Sequence, residues 1–282
     1  MKDAHIDHRL IDGKAVMSRI LDEVSAYFVQ AAIGGRVARD SPEVAVYVRN
    51  QARAAVKAGI RFDQELWSNE VSQDECKQLI SEMNDDPEVL GIILQRPVPD
   101  HINVRSLQSA IHPLKDVEGM NPASIGNIVY SDMALAPCTA AAAVTLKGLE
   151  VVMIGHSEIV GKPVALLLMA EGATVTVCHH MTRSLAIHSR RADVLVVAVG
   201  KPHLIGAEMV KPGAVVIDIG INHVVGSDGK SQIVGDVDTS AVKEIAGWVT
   251  PVPGGVGPVT VAMLMRNAMT AHQRQQAVGW IQ

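Results

Sequence analysis

Four short apolar runs in the second half of the chain most constrain the fold. They are Val151-Val-Met-Ile154, Ala173-Thr-Val-Thr-Val-Cys178, Asp193-Val-Leu-Val-Val-Ala-Val-Gly200 and Ala214-Val-Val-Ile-Asp-Ile-Gly220. Each is rich in β-branched residues, and helix-length or loop-length pieces separate them. Continuous apolar strands of this kind describe a parallel sheet covered on both faces, so the fold class is α/β. After the first run, Gly155 permits a tight turn, and Val164 to Ala170 continue with helical, apolar character. A strand feeding a glycine-marked helix start presents backbone N–H groups to a pyrophosphate. The spacing Gly155-His-Ser157-Glu-Ile159-Val-Gly161 is not the usual dinucleotide fingerprint, so an α/β domain that binds no nucleotide stays open on these features alone.

The first half also reads as strand and helix. Val16, Ile20, Leu21, Val24 and Phe28 have helical spacing, predicting a helix from Ala15 to about Ile33. Val44 to Val48 is expected as a strand, Asn50 to Ala58 as a helix stopped by Gly59, and Ser72 to Met83 as another helix. Leu90-Gly-Ile-Ile-Leu94 reads as a strand that Pro97 and Pro99 prevent from continuing. An Ala-rich helix is expected from Ala140 to about Lys147. Thr250 to Thr260 holds three prolines and three glycines in eleven residues, which suits a rigid ligand-facing loop. Val261 to Gln275 resumes as an amphipathic helix with Leu264, Ala268 and Ala271 on one face.

Composition narrows the partners. A net charge of −5 with 3% aromatic residues gives no basis for nucleic-acid binding. No apolar run approaches the roughly 18 residues needed to cross a bilayer, and the polar start lacks the apolar stretch of a signal peptide, so a cytoplasmic location is expected. Cys76, Cys138 and Cys178 are widely spaced and fit reduced thiols. Cys138 has no paired histidine at a recognisable position, which favours a packed thiol over a nucleophile. His179-His180 is followed by no carboxylate at ligand spacing, so no metal centre is expected.

Several motifs in order along nearly the whole chain carry a family resemblance: Tyr47 with its following helix, Gly91-Ile-Ile-Leu-Gln95 before two prolines, Lys115-Asp-Val-Glu-Gly119, Pro137-Cys-Thr139, Gly155 to Pro163, Asp218-Ile-Gly-Ile-Asn222, Gly235-Asp-Val237 and Thr250 to Thr260. Together they resemble the methylenetetrahydrofolate dehydrogenase/cyclohydrolase family. The resemblance implies a folate-binding catalytic domain over residues 1–137, completed by a C-terminal helix over 261–282. A Rossmann-like nucleotide domain over 138–252 follows, with a cleft loop at 253–260 and the active cleft between the domains. It further implies oxidation of 5,10-methylenetetrahydrofolate to the 5,10-methenyl form with a nicotinamide cofactor, hydrolysis of that product in many members, and a homodimer.

Carried over position by position, the resemblance implies that Tyr47 lines the pocket for the pterin or aminobenzoyl part and that Gln95 faces the same cleft. Glu118 matches an aspartate that binds the pterin through a carboxylate, suited to a guanidine-like N–H pair. The longer arm shifts that group by one methylene, which matters in an aligned site. Pro253, Gly254, Gly255 and Val256 would contact substrate from the other side. The largest departure is Gln51, which stands where the family pattern of tyrosine, three residues, lysine has its lysine. That lysine orders water for the hydrolytic step, whereas a neutral amide cannot exchange a proton near neutral pH. Hydride transfer needs no such relay, so the expected activity is a dehydrogenase with weak or absent cyclohydrolase activity. Full bifunctionality, a non-catalytic homologue, and a same-fold enzyme for another reduced pterin or a specialised one-carbon pathway are the alternatives.

For the cofactor, the resemblance implies Gly155, His156, Ser157, Ile159 and His180, together with Arg183, Gly200, Ile221 and Thr260. Ser157 is expected to cap the helix and help hold pyrophosphate or ribose. NADP-using relatives often carry arginine at the place of His156 and serine at that of His180. Neither is present here, yet no acidic residue follows Cys178 to bind an NAD ribose. NADP is therefore expected ahead of NAD.

Overall fold

A computed structural model describes residues 9–28, 31–38, 42–137, 146–225 and 229–281. Cys138 and nearly all of the expected 140–147 helix lie outside them. In chain order the elements are α1 (Gly13–Tyr27), β1 (Ala31–Ala38), α2 (Pro42–Lys57), β2 (Ile60–Trp67), α3 (Gln73–Asp85), β3 (Ile92–Leu94), α4 (Val104–Ala110) and α5 (Pro122–Val129). There follow β4 (Glu150–Ile154), α6 (Gly161–Ala170), β5 (Thr174–Cys178), α7 (Leu185–Ser189), β6 (Val194–Val197), β7 (Val215–Asp218), β8 (Asn222–Val225), β9 (Ser231–Val234), α8 (Thr239–Val242), β10 (Trp248–Val249) and α9 (Val256–Ala277). The chain divides into two compact units, one of Met17–Cys138 with Thr260–Gln282, the other of Met1–Val16 with Thr139–Val259.

The unit holding the four apolar runs has the expected architecture. Its five-stranded sheet runs β10-β7-β6-β4-β5, and every pairing is parallel. Strand residues alternate between two cores. Val152, Ile154, Leu195, Val197 and Val216 enter one, while Val151, Met153, Val194 and Val196 enter the other with Val164 and Leu168 of α6. Burial on both faces is why these strands read as unbroken apolar runs.

The other unit differs from the sequence expectation in two places. Val44 to Val48 is not a strand but part of α2, whose first residue is Pro42, a good helix-starting residue. Val48, Gln51, Ala55 and Ala58 form a buried stripe at helical spacing, and this tertiary stripe overrides the β-branched preference of the valines. The first helix ends at Tyr27, and Ile33 falls in β1, the centre of a parallel sheet ordered β2-β1-β3. α3 begins as expected: Ser72 Oγ accepts from Glu75 N at 3.2 Å, and Glu75 Oε2 accepts from Ser72 N at 2.8 Å, a reciprocal cap. The C-terminal helix completes this unit through buried amides. Asn267 donates to the carbonyls of Val117 and Ala136 at 2.9 and 2.8 Å, and Gln275 to those of Leu90 and Leu114 at 2.9 Å each.

Two further boundaries move. Residues 9–16 pack with the nucleotide unit rather than the folate unit. Ile11 N donates to Val249 O and Val249 N to Arg9 O, so Leu10 extends the sheet edge beside β10 and packs on its core. The expected 253–260 loop is cut short because α9 starts at Val256. Pro258 sits in its first turn, where the missing N–H forfeits no helical hydrogen bond.

Candidate active site

In the folate unit, α2 places Tyr47 and Gln51 one turn apart on the helix. Gln51 is 1% exposed and Gln95, just past β3, is 5% exposed. Gln95 Nε2 donates to Gln51 Oε1 at 2.6 Å, while Gln51 Nε2 has no partner among the described residues. Glu118 joins them through the backbone. Ile92 pairs in parallel with Asp116, and two residues further on Leu94 N donates to Glu118 Oε2 at 3.0 Å. Burial pushes the Glu118 carboxyl up to about 7. The Leu94 N–H and the Arg96 charge oppose that shift, and Asp116 adds to it.

The cations near Gln51 in sequence are engaged elsewhere. Arg49 and Arg53 are exposed on other faces of α2. Lys57 Nζ lies 3.2 Å from Asp22 and 3.4 Å from Ser18 Oγ. Lys115 is the buried lysine among the described residues, and its Nζ donates to the carbonyls of Met83 and Asp86 at 2.8 and 2.6 Å. Arg96 bears on Glu118, but a guanidinium is a fixed charge that exchanges no proton near neutral pH.

In the nucleotide unit, the turn from β4 to α6 is built by close approach. Gly155 has φ +117°, and a Cβ there would strike the Ala198 carbonyl; one on Gly161 would strike the Gly155 carbonyl. A turn packed this tightly, with no room for a side chain at either glycine, fits a dinucleotide passing over the start of α6. Ser157 is not the residue immediately before the helix, a place taken by Val160. Its Oγ nevertheless accepts from Val160 N and Gly161 N at 3.1 and 3.3 Å, leaving its own O–H hydrogen for a ligand. His156, after β4, and His179 and His180, after β5, cluster at the ends of these strands with ring centroids 4.7 to 6.2 Å apart. His179 Nδ1 accepts from Met181 N at 3.1 Å, so its other nitrogen carries the proton. Arg183 is exposed beyond them, as are Ile159 and Ile221.

Gly200 follows β6 with φ +74°, and space around it is open. Pro253 follows a cis peptide bond, Gly254 has φ +112°, and a Cβ on Gly255 would lie 2.6 Å from the Pro251 carbonyl. Thr260 stands in the body of α9 and groups with the folate unit. Among the described residues no group of three histidine, cysteine or acidic side chains forms a metal site.

Sequence reasoning gave no role to two buried acids. Asp218 accepts from the N–H groups of Gly220, Asp236 and Val237 at 2.9, 3.2 and 2.9 Å, and burial pushes it up to about 6. Asp236 is wholly buried and accepts from Val199, Gly200 and Lys201 N and from Asn222 Nδ2. The available signal was glycine beside each acid, in Asp218-Ile-Gly220 and Gly235-Asp236. A Cβ on Gly220 would strike the Asp236 carboxyl, and one on Gly235 would strike Asp218.

Comparison with known proteins places these features. Residues 11–118 match the catalytic domain of tetrahydrofolate dehydrogenase/cyclohydrolase, and residues 133–276 match its NAD(P)-binding domain. The chain belongs to the tetrahydrofolate dehydrogenase/cyclohydrolase family. It is 73% identical over 286 residues to the bifunctional protein FolD 3 of Roseobacter denitrificans, covering 97% of this chain and 99% of that protein. The FolD crystal structure from Campylobacter jejuni superposes with a TM-score of 0.88 at 36% identity, covering 94% of this chain and 99% of that one. That of the Trypanosoma brucei enzyme, complexed with NADP cofactor and inhibitor, also has a TM-score of 0.88, at 33% identity, covering 95% and 98%. The chain is thus a methylenetetrahydrofolate dehydrogenase with an NAD(P)-binding domain, an oxidoreductase of one-carbon folate metabolism. Among the described residues no helix is long and apolar enough to cross a membrane.

Proposed function

We propose that this enzyme oxidises 5,10-methylenetetrahydrofolate by hydride transfer and hydrolyses the 5,10-methenyl product slowly or not at all. The observation that carries the second half is the buried amide pair of Gln95 with Gln51, the residue that the sequence resemblance sets against the family's lysine. Oxidation asks little of proton chemistry, because the substrate's own nitrogens stabilise the cation left behind. The protein has to bind and align. In this reading Tyr47 lines the folate pocket, Gln95 is held in place by Gln51, and the Glu118 carboxylate takes the pterin's N–H pair.

Hydrolysis requires a group that takes a proton from attacking water and returns one to the leaving nitrogen. An amide does neither, and the loss of one such group costs roughly 10²–10⁴ in rate. Bound nicotinamide supplies the hydride acceptor. Gly155, Ser157 and Gly161 would hold its pyrophosphate at the start of α6, with Ile159, Gly200 and Ile221 along its length. His156, His180 and Arg183 would offer hydrogen-bond donors to the second ribose, and no acidic residue follows Cys178 in the sequence, which favours NADP over NAD. A cytoplasmic homodimer completes the proposal.

Following the reaction by absorbance with NADP tests it. The methenyl product should accumulate nearly stoichiometrically with NADPH. Its passage to 10-formyltetrahydrofolate without accumulation would refute slow hydrolysis.

A further inference from the structure

We propose that Asp236 is a positioning residue for the nicotinamide-riboside half of the cofactor. It locks the turn after β6 by taking the turn's three N–H groups, so that only carbonyl oxygens of its main chain are left for the ligand. The inference rests on the reading above, that a dinucleotide lies along the carboxyl ends of the parallel strands.

Three successive backbone N–H groups converging on one point normally make an anion-binding concavity. Here that concavity is filled from within. Val199, Gly200 and Lys201 donate to the Asp236 carboxylate at 2.5, 3.0 and 2.8 Å, and Asn222 Nδ2 donates at 2.9 Å. A carboxylate has about four acceptor sites, so these donors saturate it. The acid is itself clamped by its backbone, since Asp236 N donates to Asp218 and Ile205 N donates to Asp236 O at 3.0 Å.

Two consequences follow from this geometry. The turn after β6 cannot hold the pyrophosphate, which leaves that task to the β4–α6 turn. With its three N–H groups taken, the main-chain polar groups this turn has left are carbonyls, which can accept from ribose hydroxyls or from a carboxamide. Sheet order says which half of the cofactor that is. In a doubly wound sheet the ligand crosses where the order of winding reverses, and its adenosine ribose lies past the next strand on one side. Here the crossing strand is β4, with β5 and its histidines on one side and β6 with Gly200 on the other. The riboside of nicotinamide therefore falls to the β6 side.

The test compares NADP with its adenosine half, adenosine 2′,5′-bisphosphate, by calorimetric titration of the full chain. In Asp236→Asn an amide NH₂ faces backbone donors, so NADP affinity should fall about tenfold or more while the bisphosphate binds as to the wild type. The KM for NADP should rise by a similar factor, with the KM for the folate substrate unchanged. Asn222→Ala removes one of the four donors and should shift NADP binding in the same direction by about threefold, which decides the matter should the first variant not fold. Wild-type affinity for NADP in these variants, or equal loss of NADP and bisphosphate, would overturn the positioning role alone. A wild-type protein that binds neither ligand would overturn the dinucleotide reading itself.

Discussion

Gln95 donates its amide hydrogen to the Gln51 oxygen across 2.6 Å, with both side chains buried. The pair is a neutral lock, and in the function proposed above Gln51 stands in for the family's lysine. A lysine buried there would have its pKa lowered toward neutrality and could pass protons, which an amide cannot. Gln51→Lys should therefore raise methenyl hydrolysis by roughly 10²–10⁴ while changing the oxidation rate only a few-fold. Separate assays of the two steps on the variant check this, and unchanged hydrolysis would show that something other than the missing amine limits it.

Glu118 ties folding and binding to pH in opposite senses. Its carboxyl is raised from the ordinary 4.5 to about 7 in the folded protein. Its stabilising contribution is therefore full below 4.5 and is lost as pH rises through about 7. Glu118→Gln should stabilise the protein by about 1–2 kcal/mol at pH 8 and change little near pH 4.5, as read by denaturant unfolding. Folate binding runs the other way, because the pterin's N–H pair prefers the ionised carboxylate. The KM for methylenetetrahydrofolate should fall by roughly tenfold from pH 6 to pH 8 and stay flat in the variant.

Gly161→Ala tests the cradle at the start of α6. The added methyl meets the Gly155 carbonyl and the His156 backbone, neither of which is a flexible side-chain end. NADP binding should weaken by at least about tenfold, with destabilisation of roughly 1–3 kcal/mol from overpacking. Calorimetry and thermal melting read the two effects.

Asn267 connects the C-terminal helix to the backbone just before Glu118. Asn267→Leu would leave the carbonyls of Val117 and Ala136 without this partner, costing roughly 2–4 kcal/mol. A raised folate KM should accompany the loss of stability, measured by unfolding and steady-state kinetics respectively.

How legible these features were depended on how local their causes are. The strands β4 and β6 declare themselves because both faces are buried, leaving no polar alternation to confuse the pattern. β1, Ala-Ala-Ile-Gly-Gly-Arg-Val-Ala, has two glycines and little β-branching, so its central place in a sheet comes from pairing that sequence does not display. Val44 to Val48 misled for the converse reason: a local strand preference yields to a helical stripe completed by Ala55 and Ala58. The glycines and prolines of Thr250 to Thr260 concealed the true start of α9. In the site, Gln51 itself could be read from the sequence, but its lock on Gln95 could not. Asp236 was visible only as part of a motif, because its three backbone donors lie 35 to 37 residues earlier in the chain.

The most direct measurement supplies 5,10-methenyltetrahydrofolate to the purified wild-type enzyme and compares its hydrolysis, above the uncatalysed background, with oxidation of the methylene form. An amide at the proton-relay position predicts hydrolysis slower than oxidation by roughly 10² or more. Hydrolysis at a rate comparable with oxidation would contradict it.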